Sequence, residues 1–167
     1  MIGSHGRLMS QTFDAVDRQI LTILRKDGRA THATIAREVG LSAPAVGERI
    51  RKLEKAGVIL GYRAIIEPDR VGLTVTAFVA IAPQPRKPAS QLVDRLMKFL
   101  EIEELHAVAG TYSYIAKVRV ENPAALDYFL DRLFMLEGVE RTETTMVLNT
   151  NVERPMHLPF DSEIGGG

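Results

Sequence analysis

The residues best equipped for chemistry fall in two stretches of the chain. From Ser42 to Lys55 the sequence carries Arg49, Arg51, Lys52 and Lys55, with Glu48 among them and the small residues Ser42 and Ala45 ahead. Guanidinium and ammonium groups reach phosphates and guanine edges, and small residues let a backbone approach the floor of a major groove. The second stretch runs from His106 to Gly110-Thr111-Tyr112-Ser113, where the side chains on offer form hydrogen bonds. Covalent and metal chemistry find no support. Cysteine is absent, and His5, His32, His106 and His157 do not pair at metal-ligand spacing. A lone histidine such as His106 more often packs or donates a hydrogen bond than ligates or acts as a base. No phosphate-cradling glycine loop, nucleophile elbow or paired-carboxylate motif is present. Glu101, Glu103 and Glu104 read as a solvated helix end. The residue types point to binding, with no catalytic residue, metal or cofactor expected.

The elements that must position the first stretch are legible from apolar spacing. Phe13, Val16, Ile20, Ile23 and Leu24 recur at helical intervals, with Asp14 placed to cap and the pattern ending near Asp27-Gly28. Thr31 precedes a short segment that buries Ile35, Ala36 and Val39, and Gly40 follows where a helix needs a left-handed residue. Ser42, with Pro44 two residues later, starts a third helix that buries Val46, Ile50 and Leu53 and stops at Ala56-Gly57. Three short helices, the last two joined by a tight turn, read as a helix-turn-helix. The exposed face of the third carries Ala45, Glu48, Arg49 and Lys52, with Arg51 and Lys55 nearby. Arg49 has an alternative reading as a structural cation, paired with an acid such as Glu38 or Glu54. Gly47 costs a helix about 1 kcal/mol against alanine. Close approach to DNA or to the preceding helix would each account for it.

Charge is divided along the chain. The 167 residues carry 21 basic and 21 acidic side chains, yet residues 1–63 hold 11 Lys and Arg against 6 Asp and Glu, and residues 64–167 hold 10 against 15. A basic module followed by an acidic one fits two small domains, each near the size at which association helps stability. No stretch approaches the roughly 20 apolar residues of a membrane span, and no secretory leader is read at the N-terminus. A cytoplasmic protein with no membrane partner is expected.

The run Asp14-x-x-Asp17-x-x-Ile20-Leu21, Asp27-Gly28-Arg29, Ile35-Ala36, Gly40-Leu41-Ser42, Arg49-Ile50-x-x-Leu53-Glu54, Gly57-Val58-Ile59 closely resembles the Lrp/AsnC (feast/famine) family of prokaryotic transcriptional regulators. The likeness continues through Leu60–Ile66, which in that family links a DNA-binding to an effector domain. The resemblance implies sequence-specific DNA binding, with Ser42, Ala45, Glu48, Arg49 and Lys52 as contacts of the recognition helix and Arg29 and Thr31 near the phosphate backbone. It also implies a palindromic double-stranded operator, a dimer that assembles further into an octamer, and a place on the nucleoid.

Beyond Glu67-Pro68-Asp69 the periodicity changes. Leu73, Val75, Ala77, Val79 and Ile81 alternate as in a strand that ends at Pro83, Pro85 and Pro88. Leu92, Val93, Leu96, Phe99 and Leu100 follow at helical spacing. Strands are read at Leu105–Ala109, Tyr114–Val120 and Val139–Leu148. Between the last two, Asn122-Pro123 starts a helix that buries Leu126, Phe129, Leu130 and Leu133 and ends at Gly138. The order βαββαβ is ferredoxin-like. Both helices would cover one face of the sheet, leaving an opposite face read as small or apolar and suited to pairing sheet to sheet.

The expected fold class is therefore α+β, a winged helix-turn-helix followed by a ferredoxin-like effector and assembly domain. The divisions are 1–12 as a flexible lead, 13–58 as the DNA-binding domain, 59–72 as a linker strand, 73–150 as the effector domain and 151–167 as a tail. By resemblance, the loop at Gly110, Thr111, Tyr112 and Ser113, with His106 beside it, contributes to a pocket for an amino acid or related small molecule between dimers. The family's pattern there is Gly, two residues, then Asp, and Ser113 stands where the acid belongs. A serine can only hydrogen-bond the ammonium that an aspartate would neutralise. The alternative is that Gly110 and Ser113 merely shape a hairpin. Sirohaem decarboxylases also resemble this family, and His106 is the residue that could fit such chemistry.

Overall fold

The computed structural model describes residues 13–85 and 88–161, so the lead 1–12 lies outside the described residues. The chain forms two compact units: residues up to Ala64 together with those from Glu153 onward, and Ile65–Val152.

In the first unit, helices α1 (Ala15–Lys26), α2 (His32–Val39) and α3 (Ala43–Lys55) each begin where a short polar side chain precedes an apolar stripe. Asp14 accepts from the Asp17 amide at 2.8 Å, Thr31 from Thr34 at 3.1 Å and Ser42 from Ala45 at 3.4 Å. Each cap contributes about 1 kcal/mol by satisfying an amide that the helix leaves unpaired. Gly40 takes φ 69° between α2 and α3, and Leu41 donates back to the Ala36 carbonyl at 3.1 Å. The tight turn lets Ile35 and Ala36 of α2 meet Val46, Ile50 and Leu53 of α3 over Ile20 of α1.

Residues 153–161 belong to this unit. Thr22, the one buried polar residue of the described chain, donates to Asp161 at 3.2 Å, and Arg25 pairs with the same carboxylate at 3.1 Å. Phe160 lies 6.4 Å from the Phe13 ring, with the Arg18 guanidinium 5.7 Å from it. The end of the described chain is thus fastened along α1.

The second unit contains a 3₁₀ turn at Pro68–Val71, then β1 (Val75–Pro83), α4 (Ala89–Leu96), β2 (Ile102–Ala107), β3 (Tyr114–Val120), α5 (Pro123–Phe134) and β4 (Val139–Met146). The sheet order is β2-β3-β1-β4, antiparallel throughout, as the βαββαβ reading requires. Val75, Ala77, Val79 and Ile81 face the helices and pair with Val120, Val118, Ala116 and Tyr114. Leu92 and Leu96 from α4 and Leu126, Phe129 and Leu133 from α5 close over them. Asn122 caps α5, accepting from Ala125 at 2.9 Å.

Several sequence expectations are corrected. Leu60–Ile66 pairs with no strand among the described residues, so the linker strand expected within 59–72 is not formed among them. A strand needs a neighbour for its hydrogen bonds, and Leu60 and Ile65 stand exposed instead. Helix α4 ends at Leu96 rather than running through Leu100. The chain turns so that Phe99 meets Phe129 edge-on at 5.4 Å, which leaves Leu100 in solvent. Strand β2 begins earlier than expected, and the acids read as a helix end lie against cations: Glu103 on Arg119 at 2.7 Å, Glu101 on Arg132 at 2.9 Å. The open face is consequently not small and apolar throughout. Around Phe78 and Ala80 on β1 it carries Lys117 and Arg119 on β3, Glu104 and His106 on β2, and Arg141 and Glu143 on β4.

Among the described residues, no helix is long and apolar enough to cross a membrane, and no group of three or more His, Cys, Asp or Glu could hold a metal.

The tail attachment predicts an acid dependence. The Leu158 amide holds Asp161 below its ordinary value of 3.8, with Arg25, Thr22 and His157 favouring the anion further. A depressed carboxylate contributes fully above the unfolded value and loses that contribution as pH falls through the folded one. Asp161→Asn should therefore be less stable than the native chain at pH 7. The gap, measured by urea denaturation, should begin to close near pH 3.8 and vanish at lower pH. A gap independent of pH would remove Asp161 from this role.

Candidate nucleic-acid interface and ligand pocket

Helix α3 presents two distinct polar surfaces. With Val46, Ile50 and Leu53 turned inward, the 100° step of a helix directs Pro44, Ala45, Glu48, Arg51, Lys52 and Lys55 outward. Arg49 falls on the flank beside α1. Its Nη1 lies 2.7 Å from Asp14 and 2.8 Å from Asp17, so the guanidinium is engaged by two carboxylates at the start of α1. The pair raises the Arg49 pKa, Asp17 contributing most. Asp14 is held below the ordinary carboxylate range by the Asp17 amide first and by Arg49 next. The cation expected to read DNA is held within the helical unit, and its partners are neither Glu38 nor Glu54.

The other expected contacts are placed unevenly. Glu48 and Arg51 form an exposed pair at 2.9 Å, and Lys52 stands exposed next to them. Exposed pairs of this kind contribute little, so Arg51 is cheaply released to another anion. Ser42 and Thr31 spend their hydroxyls on the caps of α3 and α2, the Thr31 Oγ1 also lying 2.9 Å from that of Thr34. Arg29 donates its amide to Asp27 at 2.9 Å, and its side chain borders a cleft of about 390 Å³ shared with His32, Gly47, Arg51 and Tyr62. Tyr62 donates to Glu54 at 3.1 Å and closes one side of it. Arg51, which the sequence places only near the exposed face, is the cation that both the outer face and this cleft present. Its angular position 140° from Val46 was the available signal.

Gly47 also acquires a reason. A Cβ there would lie 3.1 Å from the His32 Nδ1 and 3.2 Å from its Cε1. A side chain at Gly47 would press on the first residue of the preceding helix, whose imidazole must give by a few tenths of an ångström to admit it.

In the second unit an open concavity of about 540 Å³ lies beside the β2–β3 loop. Gly110, Thr111 and Tyr112 of the loop line it, with Ala80 on β1 and Arg141 and Glu143 on β4. The Tyr112 hydroxyl donates to Glu143 at 2.7 Å, and the Arg141 guanidinium stands 4.9 Å from the centre of the Tyr112 ring. Sharing its proton with Glu143 raises the Tyr112 hydroxyl above its ordinary value of 10.0. Two expected residues lie elsewhere. His106 sits on β2 opposite Ile115 and pairs with Glu104 at 3.1 Å. Ser113 is a junction of strands: its amide donates to the Ile81 carbonyl at 3.1 Å, and its carbonyl accepts from Val108 at 2.9 Å. Arg141 and Glu143 were missed in the sequence because strand alternation pairs them without saying which face they take.

Residues 13–54 match the family model of the AsnC-type helix-turn-helix domain, and residues 76–156 that of the Lrp/AsnC ligand binding domain. The HTH-type transcriptional regulator LrpA of Mycobacterium tuberculosis is 40% identical over 151 residues, covering 90% of this chain and 100% of its own. A feast or famine regulatory protein from M. tuberculosis complexed with L-methionine superposes with a TM-score of 0.84 at 41% identity, covering 89% of this chain and 100% of the other. A Neisseria meningitidis transcriptional regulator in complex with L-methionine gives 0.83 at 27% identity, covering 91% and 99%.

Two stability measurements check the reading of α3. Arg49→Ala should lower the melting temperature by several degrees, because two carboxylates lose their common cation, whereas Lys52→Ala should leave it nearly unchanged. Equal effects would dissolve the distinction. Gly47→Ala should gain less stability in the native background than in His32→Ala, where the helix propensity of about 1 kcal/mol is free to appear. The same gain in both backgrounds would clear the imidazole as the constraint.

Proposed function

Because the chain belongs to the Lrp/AsnC family of helix-turn-helix transcriptional regulators, we propose that it binds duplex DNA through the outer face of α3 and answers to an amino acid or related small molecule held beside Tyr112. Its named relatives are regulators and not enzymes, and it is a transcriptional regulator likewise. The observation that carries the DNA reading is the division of labour on α3. Arg49 secures the helix from its flank, while Arg51, Lys52 and Lys55 remain outward beyond the small residues Pro44 and Ala45. Arg29 and Arg51 border one cleft and together reach phosphates, and Ser42 and Thr31 contribute through the helix ends they cap.

The operator is an imperfect palindrome read by a two-fold dimer, with half-sites about one helical turn or a multiple of it apart. Assembly into a dimer and onward to an octamer follows the family. It is supported by the segment without strand partners that exposes Leu60, Ile65 and Ile66. We place the protein in the prokaryotic cytoplasm, on the nucleoid. The effector reading is supported by the L-methionine complexes of the two similar structures and by the loop concavity of this chain. An effector bound between dimers acts only by binding one arrangement more tightly than another.

The test is operator binding against salt. The apparent constant should fall linearly on logarithmic axes, with a slope of about −0.9 per phosphate contacted. Arg51→Ala with Lys52→Ala should flatten that slope and cut affinity by more than about tenfold while the fold persists. Unchanged affinity in the double variant, or a constant indifferent to salt, would overturn DNA binding through α3.

A further inference from the structure

Strand register places two opposite charges at the mouth of the concavity. On β4, Arg141 and Glu143 lie opposite Ala82 and Ala80 of β1, so both project from the open face of the sheet next to residues ending in a methyl group. The small neighbours leave room above the sheet beside two long charged side chains. Residues two apart on a strand sit about 6.6 Å apart along it. Each is held by the same aromatic residue: Glu143 accepts the Tyr112 hydroxyl at 2.7 Å, and Arg141 lies over the Tyr112 ring at 4.9 Å. Tyr112 thus keeps a carboxylate and a guanidinium apart and aimed along one wall. Val108, Ile115 and Ala80 supply the apolar remainder of the lining.

A carboxylate and a guanidinium a few ångströms apart complement a zwitterion, one taking its ammonium and the other its carboxylate. Each such charge-assisted hydrogen bond spans about 2.8 Å, so the two groups bracket an α-amino acid whose own charges lie between them. Ser113, by contrast, is committed through its backbone to Ile81 and Val108, and its side chain does not line the concavity. We propose that Glu143 and Arg141, positioned by Tyr112, hold the ammonium and carboxylate of a free α-amino acid with an uncharged side chain, and that Glu143 supplies the anion absent from position 113. This inference rests on the effector reading above and names the groups through which it works.

The experiment uses the full chain and calorimetric titration with three probes: L-methionine, N-acetyl-L-methionine, which lacks the ammonium, and L-methioninamide, which lacks the carboxylate. The native protein should bind L-methionine at least about tenfold more tightly than either derivative, the weight of one charge-assisted contact. Glu143→Gln should lose about that factor for L-methionine and bind the N-acetyl compound no worse than the native chain does. Arg141→Gln should show the mirror pattern with the amide. Melting temperatures without ligand report whether the variants fold. Should Glu143→Gln fail there, Tyr112→Phe, which removes only the hydroxyl, should weaken L-methionine severalfold. If the native chain binds L-methionine and Glu143→Gln binds it equally well, the assignment of Glu143 and Arg141 falls while the effector reading stands. If the native chain does not bind L-methionine, the titrations are repeated with each of the twenty amino acids, and binding to none of them overturns both.

Discussion

Arg49 reaches from the flank of α3 to two carboxylates at the start of α1, and that contact fixes which side of the third helix is left for a partner. Asp14 is also the cap of α1, so one side chain orders a helix start and anchors another helix to it. With the guanidinium spent there, the rotation of α3 is set from two sides: by Val46, Ile50 and Leu53 packing inward, and by the Arg49 tether. The outward row then follows from helical geometry alone. The inner side of α3 is thereby held at two places, while Arg51 on its outer side is only loosely paired.

The second unit obeys a comparable constraint. Strand β1 lies between β3 and β4, and its alternation commits Val75, Ala77, Val79 and Ile81 to the helices. The register passes that commitment to the neighbouring strands, apart from the irregularities at Ala82/Pro83 and Ile102/Glu104. Glu103 and Glu104 are brought to Lys117 and Arg119, and Arg141 and Glu143 are carried to the mouth of the loop concavity. Several carboxylates of residues 64–167 therefore meet cations within the sheet.

Local signals were legible in the sequence and long-range ones were not. Asp14, Thr31, Ser42 and Asn122 announce their helices because a cap is a contact over three residues, and the apolar stripes mark the core because burial follows the helical and strand periods. Arg49 was placed on the reading face because its carboxylate partners lie 32 and 35 residues away. The helical spacing of Phe99 and Leu100 continued past the true end of α4 because only Phe129, on another helix, requires the turn. Strand membership said that Arg141 and Glu143 share a face, but register with β1 was needed to say which. Ser113 was weighed as a ligand group because the family pattern sets an acid there, while its backbone bonds to Ile81 and Val108 are visible only in three dimensions.

An open concavity has a consequence for regulation. Sites that hold small molecules tightly enclose most of the ligand surface, and a concavity as open as the one beside Tyr112, Arg141 and Glu143 leaves one side of an amino acid in water. Two charged contacts fix its orientation but enclose little of it. Tight binding then requires a second wall, and a surface that supplies one is stabilised by the ligand to the same extent that it stabilises the ligand. An effector held this way would bias any assembly that supplies the second wall, without a signal passing through the interior of the domain. The strength of that bias is the difference in affinity between the open site and the enclosed one, and a tenfold difference shifts the assembly equilibrium by about 1.4 kcal/mol per site.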